Sequence, residues 1–224
     1  MKTFPSALSV PASVAGAGLA GAAFGLAAAL RRFGTKPLHP RGVVVEATLT
    51  RHGVQSGHPS SGVEWIDEPG RDQVLVRMSR AVGLPSAWPD VHGLALRVPM
   101  DGDAYADVLL ASTGWRGLSR FVLTASRRST SRPMTTLLPY RSSSGPLLIG
   151  AETMDRGTRL RLSWATRLGP WQPFAVLELS STEGPDPAMT FDPVLHPLPG
   201  LENYAWVRRL REPAYATARA SRSD

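Results

Sequence analysis

The chain has 224 residues, 42% of them hydrophobic and 19% charged, which suits one domain with a substantial core and excludes wholesale disorder. It contains no cysteine, which removes disulfides, thiolate metal sites and cysteine nucleophiles together. The net charge of +7 arises from 25 basic against 18 acidic residues, nearly all the basic ones Arg, and no basic run is interleaved with aromatics. That pattern points to carboxylate or phosphate groups on a ligand or surface and away from nucleic acid.

No charged residue lies between Lys2 and Arg31, and the stretch ASVAGAGLAGAAFGLAAALRRFG, from Ala12 to Gly34, reads as an Ala-rich helix closed by basic residues and a glycine cap. Residues 1–35 are therefore set apart from a domain spanning 36–224. About twenty helical residues reach roughly 30 Å, enough to cross a bilayer. Gly21 and Gly25 have the spacing of close helix packing in lipid. Scarce Leu and abundant Gly make insertion marginal, so a helix packed on the domain or on a partner competes with a membrane anchor over residues 12–33 and with a signal segment. The expected location is the cytoplasm, with membrane contact through this helix as the alternative.

From Gly42 onward the pattern changes to short β-branched and aliphatic runs bounded by Gly, Pro and Ser. Eight strands are predicted: GVVVEATLT, QVLVRMSR, HGLALRVP, ADVLLAST, RFVLTASR, PLLIGAE, TRLRLSWATRL and FAVLELSS. In the seventh, Leu160, Leu162 and Trp164 alternate with Arg159, Arg161 and Ser163, as in a half-buried strand. Many short strands without helical periods between them predict a mainly β fold, an eight-stranded antiparallel barrel, followed by a C-terminal helix from Tyr204 that Pro213 divides.

Three stretches carry chemistry. In KPLHPRG, His39 stands between Pro37 and Pro40, which stiffen the backbone around an imidazole suited to acid–base work; the plain alternative is a loop His with one hydrogen bond. In VLVRMSR, Arg77 and Ser79 share one face of a strand; if that face is the barrel interior, the guanidinium requires a carboxylate from the protein or a ligand. Asp90 reads as a turn residue capping its own backbone. In LREPAYATARASR, Arg211, Tyr215 and Arg222 share one helix face, and an Arg beside a phenol favours the phenolate, a good ligand for ferric haem. Asp67, Glu68, Asp101 and Asp103 read as loop carboxylates, and no nucleophile elbow supports a hydrolase.

Taken in order, these pieces resemble the haem catalase superfamily. LHPRGVVVEATLT is similar to the family's opening VHAKG or VHARG segment with its strand, VRMS to VRFS, and HGLALRVP with ADVLLAS to the next strand pair. FDPVLHPLPGLENYAWVRRLREPAYATARASR is similar to the family's closing segment, so the resemblance covers His39 to Arg222. It implies haem b with ferric iron held by Tyr215, the phenolate maintained by Arg211, and propionates paired by Lys36, Arg77 and Arg222. It further implies His39 as the group that moves a proton between peroxide oxygens, Ser79 as its hydrogen-bond partner, and Phe121 stacked on the distal face. The family's distal Asn falls at Ala111 and Ser112, and its YPDT reads YATA here. Loss of that Asn implies peroxidase-type turnover of hydrogen peroxide or organic hydroperoxides, with an electron donor, ahead of fast catalase turnover. The competing reading is a haem-free barrel that binds a hydrophobic ligand or a partner. A small exposed barrel is also compatible with a homodimer.

Overall fold

The computed structural model describes residues 41–209 apart from 56, 82, 84, 86 and 185–188, and the side chains of 41, 156 and 181–184 are likewise left aside. The N-terminal segment 1–35 and the predicted site residues Lys36, His39, Arg211, Tyr215 and Arg222 lie outside the described residues.

Strand alternation sets the architecture. Along β1 (Arg41–His52), Val45, Ala47 and Leu49 point to the core; along β2 (Pro69–Arg80), Val74, Val76 and Met78 do. β3 (His92–Pro99) supplies Leu94, Leu96 and Val98, and β4 (Tyr105–Ser112) supplies Ala106, Val108 and Leu110. The sheet continues through β5 (Met134–Thr135), β7 (Gly145–Met154), β8 (Arg159–Thr166) and β9 (Gln172–Gly184), all antiparallel. β9 returns to pair with β1, closing an eight-stranded barrel. β6 (Tyr140–Ser142) and β10 (Glu202–Asn203) extend it as a flap beside β7. Closure gives each of the eight barrel strands a partner on both sides, although β4 meets β5 only at Ala111 and Ser112.

The interior is filled by side chains. Leu49, Val76, Leu96, Leu162, Phe174 and Leu177 are essentially inaccessible, and Trp164 joins the same cluster. The predicted alternation of β8 holds at Leu160, Leu162 and Trp164, which face inward. An eight-stranded barrel is just wide enough for side chains to fill, so the space for a ligand has to be sought elsewhere.

One expectation is corrected here, and one alternative left open by the sequence is decided. RFVLTASR does not form a strand: residues 117–121 form a 3₁₀ turn, and the stretch after it makes only isolated bridges, Thr113 with Leu123 and Asp90 with Ser126. The fifth barrel strand is instead the two-residue β5. Apolar Phe121, Val122 and Leu123 suggested a strand, but the glycine at Gly117 adopts positive φ and starts a tight turn that the apolar run then follows. Arg77 and Ser79 are also not interior. They alternate with core-facing Val76 and Met78 and so lie on the barrel's outer face.

The segment after β9 straps that outer face. Arg97 of β3 holds Asp107 of β4 through two hydrogen bonds, Nε–Oδ1 at 2.8 Å and Nη2–Oδ2 at 2.9 Å. Arg97 also donates to the Thr190 carbonyl at 2.6 Å, and its guanidinium lies over the rings of Tyr105 and Phe191. Burial works against this charge, but the hydrogen bonds and attraction from Asp107 raise its pKa above the ordinary arginine value. The Asp192 backbone N–H donates to Asp107 at 2.7 Å, and the Asp107 N–H donates to the His196 carbonyl at 2.8 Å. The FDP of the sequence thus has a physical task, which is to seat the strap. The chain turns helical again at residues 205–209, in agreement with the expected helix start, and among the described residues no helix is long and apolar enough to cross a membrane.

Asp107→Ala strands a part-buried guanidinium and releases the strap anchor at the Asp192 N–H, so it is expected to lower unfolding free energy by about 2–4 kcal/mol in urea titration. Limited proteolysis of the variant should cut first within residues 189–200.

Candidate functional site

The outer face carries an unusual row. Strand register places Gly42 opposite Ser79, Ser79 opposite Gly93, Gly93 opposite Ala111, Ala111 opposite Thr135, and Thr135 opposite Gly150. All are small, and all point away from the core. Outward positions of a barrel ordinarily carry long polar side chains, so a small-residue row leaves room for something to approach the sheet closely.

At two points the approaching group is visible. Above Gly150 a side-chain β-carbon would come within 2.6–2.9 Å of Trp115 and Trp171, two stacked indoles with ring centres 4.1 Å apart. Above Gly42 a β-carbon would come within 2.7–2.9 Å of the guanidinium carbon, Nη2 and Nε of Arg77. Arg77 is therefore laid flat across glycine, with only 6% of its surface exposed. Its neighbours across the sheet are Val44 and Ala95, and Ser79 stands two residues along between Gly42 and Gly93. A fixed cation and a half-buried hydroxyl, flanked by residues without bulk, make a surface that a flat anionic group could meet.

The structure brings Arg77 and Ser79 together on this face. Phe121 is buried at 3% exposure, apart from the barrel core, at the end of the 3₁₀ turn. That turn meets the same row, since Thr135 donates to the Arg120 carbonyl at 2.8 Å. On β4, Ala111 occupies the row while Ser112 turns inward, donating to the Thr124 carbonyl at 2.6 Å and accepting from the His92 N–H at 3.0 Å. The β4 position thus presents only a methyl group to the row.

Other titratable groups are committed to framework. Asp90 accepts from the N–H groups of Gly83 and Val91, as its turn reading implied. Burial alone would raise the Asp67 pKa, but hydrogen bonds from the Ser60 hydroxyl and the Ser61 and Gly62 N–H groups hold it below the ordinary value. It braces a loop. His92, which drew no notice in the sequence, is buried and shares a 2.9 Å hydrogen bond with the Ser126 carbonyl. Among the described residues no group of three or more His, Asp or Glu side chains converges as a metal site.

No protein-family model matches the chain, and no curated protein matches it in sequence. Solved structures do. The chain is similar to a bacterial catalase with a TM-score of 0.54 at 13% identity, over 89% of this chain and 60% of that one. It is similar to catalase A from Saccharomyces cerevisiae with a TM-score of 0.55 at 12% identity, over 89% and 64% respectively. The fold is catalase-like. At such identities the likeness establishes the architecture and nothing finer, and the chain spans about three fifths of the length of these catalases. Within the catalase-like barrel, Arg77 and Ser79 lie on the outer face of β2 beside Gly42 and Gly93, whereas the turn that ends in Phe121 meets the row at Thr135.

Gly42→Ala should displace the Arg77 guanidinium and cost about 1–3 kcal/mol. In an Arg77→Ala background the same methyl has room, so a double-mutant cycle on thermal unfolding is expected to recover more than half of that cost. Full additivity would show that the two residues do not share this space.

Proposed function

We propose that the chain is a haem protein that reduces or disproportionates hydrogen peroxide or organic hydroperoxides, with peroxidase-type turnover dominating. The observation that carries this reading is the buried Arg77 guanidinium lying on Gly42 beside Ser79, on the outer face of a catalase-like barrel. A planar cofactor with carboxylate arms needs a face without protruding side chains and a cation at its edge. Gly42, Ser79, Gly93 and Ala111 supply the first and Arg77 the second, so the described residues fit haem b on this side.

In this reading Arg77 pairs with a propionate, together with Lys36 and Arg222, and bidentate geometry makes arginine the better partner for a carboxylate. Tyr215 binds ferric iron as phenolate, and the positive charge of Arg211 four residues earlier favours that form. When bound, haem supplies the electrons that cleavage of a peroxide O–O bond consumes. His39 takes a proton from one peroxide oxygen and delivers it to the other, so that the departing oxygen leaves as water or alcohol. Ser79 fixes the orientation of that imidazole by a hydrogen bond. Ala111 offers no amide to hold peroxide in place, which favours substrates oriented by their own bulk and a separate reductant over two successive hydrogen peroxide molecules.

Haem titration of the purified protein should produce an intense Soret band with ferric tyrosinate character. Tyr215→Phe should abolish that character, and Arg77→Ala should weaken haem affinity roughly tenfold or more. His39→Ala should retain the haem spectrum and lose at least 100-fold in peroxide-dependent oxidation of a dye. Failure of the unaltered protein to take up haem would leave the haem-free barrel as the better account.

A further inference from the structure

A second surface, on the barrel side occupied by the Trp pair, is built differently. The 3₁₀ turn 117–121 and the β8–β9 turn 167–171 meet there. The indole N–H of Trp171 donates to the Trp115 carbonyl at 2.8 Å, and Arg120 Nη1 donates to the Gly169 carbonyl at 3.0 Å and the Thr166 carbonyl at 3.3 Å. Arg120 is 3% exposed, lies over the Trp171 ring at 4.7 Å, and its Nε has no hydrogen-bond partner. Among the described residues it faces no carboxylate. A buried cation held only by carbonyls and an indole is a costly clamp for two surface turns.

What the clamp displays is apolar. Leu118 is 48% exposed, Val122 55% and Leu168 53%, although each sits on a turn that could as well carry a polar residue. Single exposed aliphatics are ordinary, whereas three on two clamped turns beside a half-buried Trp pair form a patch. Along the sequence, the charge on and beside these two turns has one sign. Six arginines and no Asp or Glu lie between Asp107 and Glu152, and Arg167 is the only charged residue of the β8–β9 turn. Of these, Arg116, Arg127, Arg128 and Arg132 are exposed.

We propose that Leu118, Val122 and Leu168 form a docking face for an anionic lipid bilayer, with the surrounding arginines engaging lipid headgroups. Aliphatic tips reach just below the headgroups, indoles prefer the interface itself, and arginines without neighbouring carboxylates are drawn to anionic lipid. A protein partner could also cover apolar residues. Cations on two separate turns, Arg116 and Arg167, instead favour a surface whose negative charge is spread laterally. Arg120 acts as a positioning residue, keeping both turns level so that Leu118 and Leu168 enter together. This face borders the Gly150 end of the row, opposite the Gly42–Ser79 end, and does not depend on haem binding.

The test is co-sedimentation of the full-length protein with vesicles of phosphatidylcholine alone and with 30% phosphatidylglycerol. Binding to the anionic vesicles is expected, falling at least tenfold when both Leu118→Asp and Leu168→Asp are present, with an unchanged melting temperature. The milder pair Leu118→Ser and Leu168→Ser should give the same direction of change, and Arg116→Gln with Arg167→Gln should remove the dependence on phosphatidylglycerol. Equal binding by the unaltered protein and the Leu118/Leu168 variants would overturn the proposal and assign membrane contact to another segment. Absence of binding by the unaltered protein would overturn it too, as would self-association abolished by the same substitutions, which would make a second copy of the chain the occupant.

Discussion

Twelve consecutive residue pairs join β1 to β2, from Arg41 opposite Arg80 to His52 opposite Pro69, without interruption. That ladder decides what the outer face can do. A slip of one residue would send Val76 and Met78 outward and bury Arg77 and Ser79 in a packed hydrocarbon interior. The core forbids it, because Val45, Ala47 and Leu49 on one strand and Val74 and Val76 on the other must all enter the same cluster. The burial of a few aliphatic side chains therefore fixes the position of a guanidinium and a hydroxyl that touch none of them. The irregularity in β1 pairing falls on its other side, between Val45 and Ala47 against β9, so the β2 side keeps its register.

Three arginines on or around the outer face illustrate different solutions to one problem. Arg97 is neutralised within the protein by Asp107, and the pair seats the strap that carries Phe191 and Asp192. Arg120 is held by carbonyls and an indole, and burial lowers its pKa below the ordinary value without a carboxylate to offset it. Arg77 is laid over Gly42 at the edge of a small-residue row. The first arrangement is stabilising scaffold, the second a clamp, and the third the part of the surface on which the haem reading rests. A filled interior makes this division necessary, since a barrel of this size with Phe174, Leu162 and Trp164 inside leaves its chemistry to the outside.

Much of this was legible in the residues. Short β-branched and aliphatic runs bounded by Gly, Pro and Ser located seven of the eight predicted strands, and the placing of Arg77 with Ser79 on one face followed from the two-residue period of a strand. The likeness to catalases appeared from four short stretches in order, and the fold agrees. The fifth strand was misplaced because Phe121–Leu123 follows a tight turn outside the barrel, with Phe121 buried and Val122 exposed, and such a turn has the same local composition as a strand. The face of Arg77 stayed open in the sequence because a single strand does not say which of its sides is the core. The small-residue row was invisible for a related reason: Gly42, Ser79, Gly93, Ala111, Thr135 and Gly150 are scattered over more than a hundred residues and become neighbours only through register. The proposed catalytic and iron-binding roles of His39 and Tyr215 rest on the sequence, since both lie outside the described residues.

The central claim is that haem sits against the outer face of β1–β3 with Arg77 at its edge. Anomalous diffraction at the iron absorption edge, on crystals of the haem-reconstituted protein, tests it most directly. The account predicts a single iron peak over the row at Ser79, with propionate density at Arg77. An iron peak remote from β1–β3, or haem density reaching neither Ser79 nor Arg77, would contradict it.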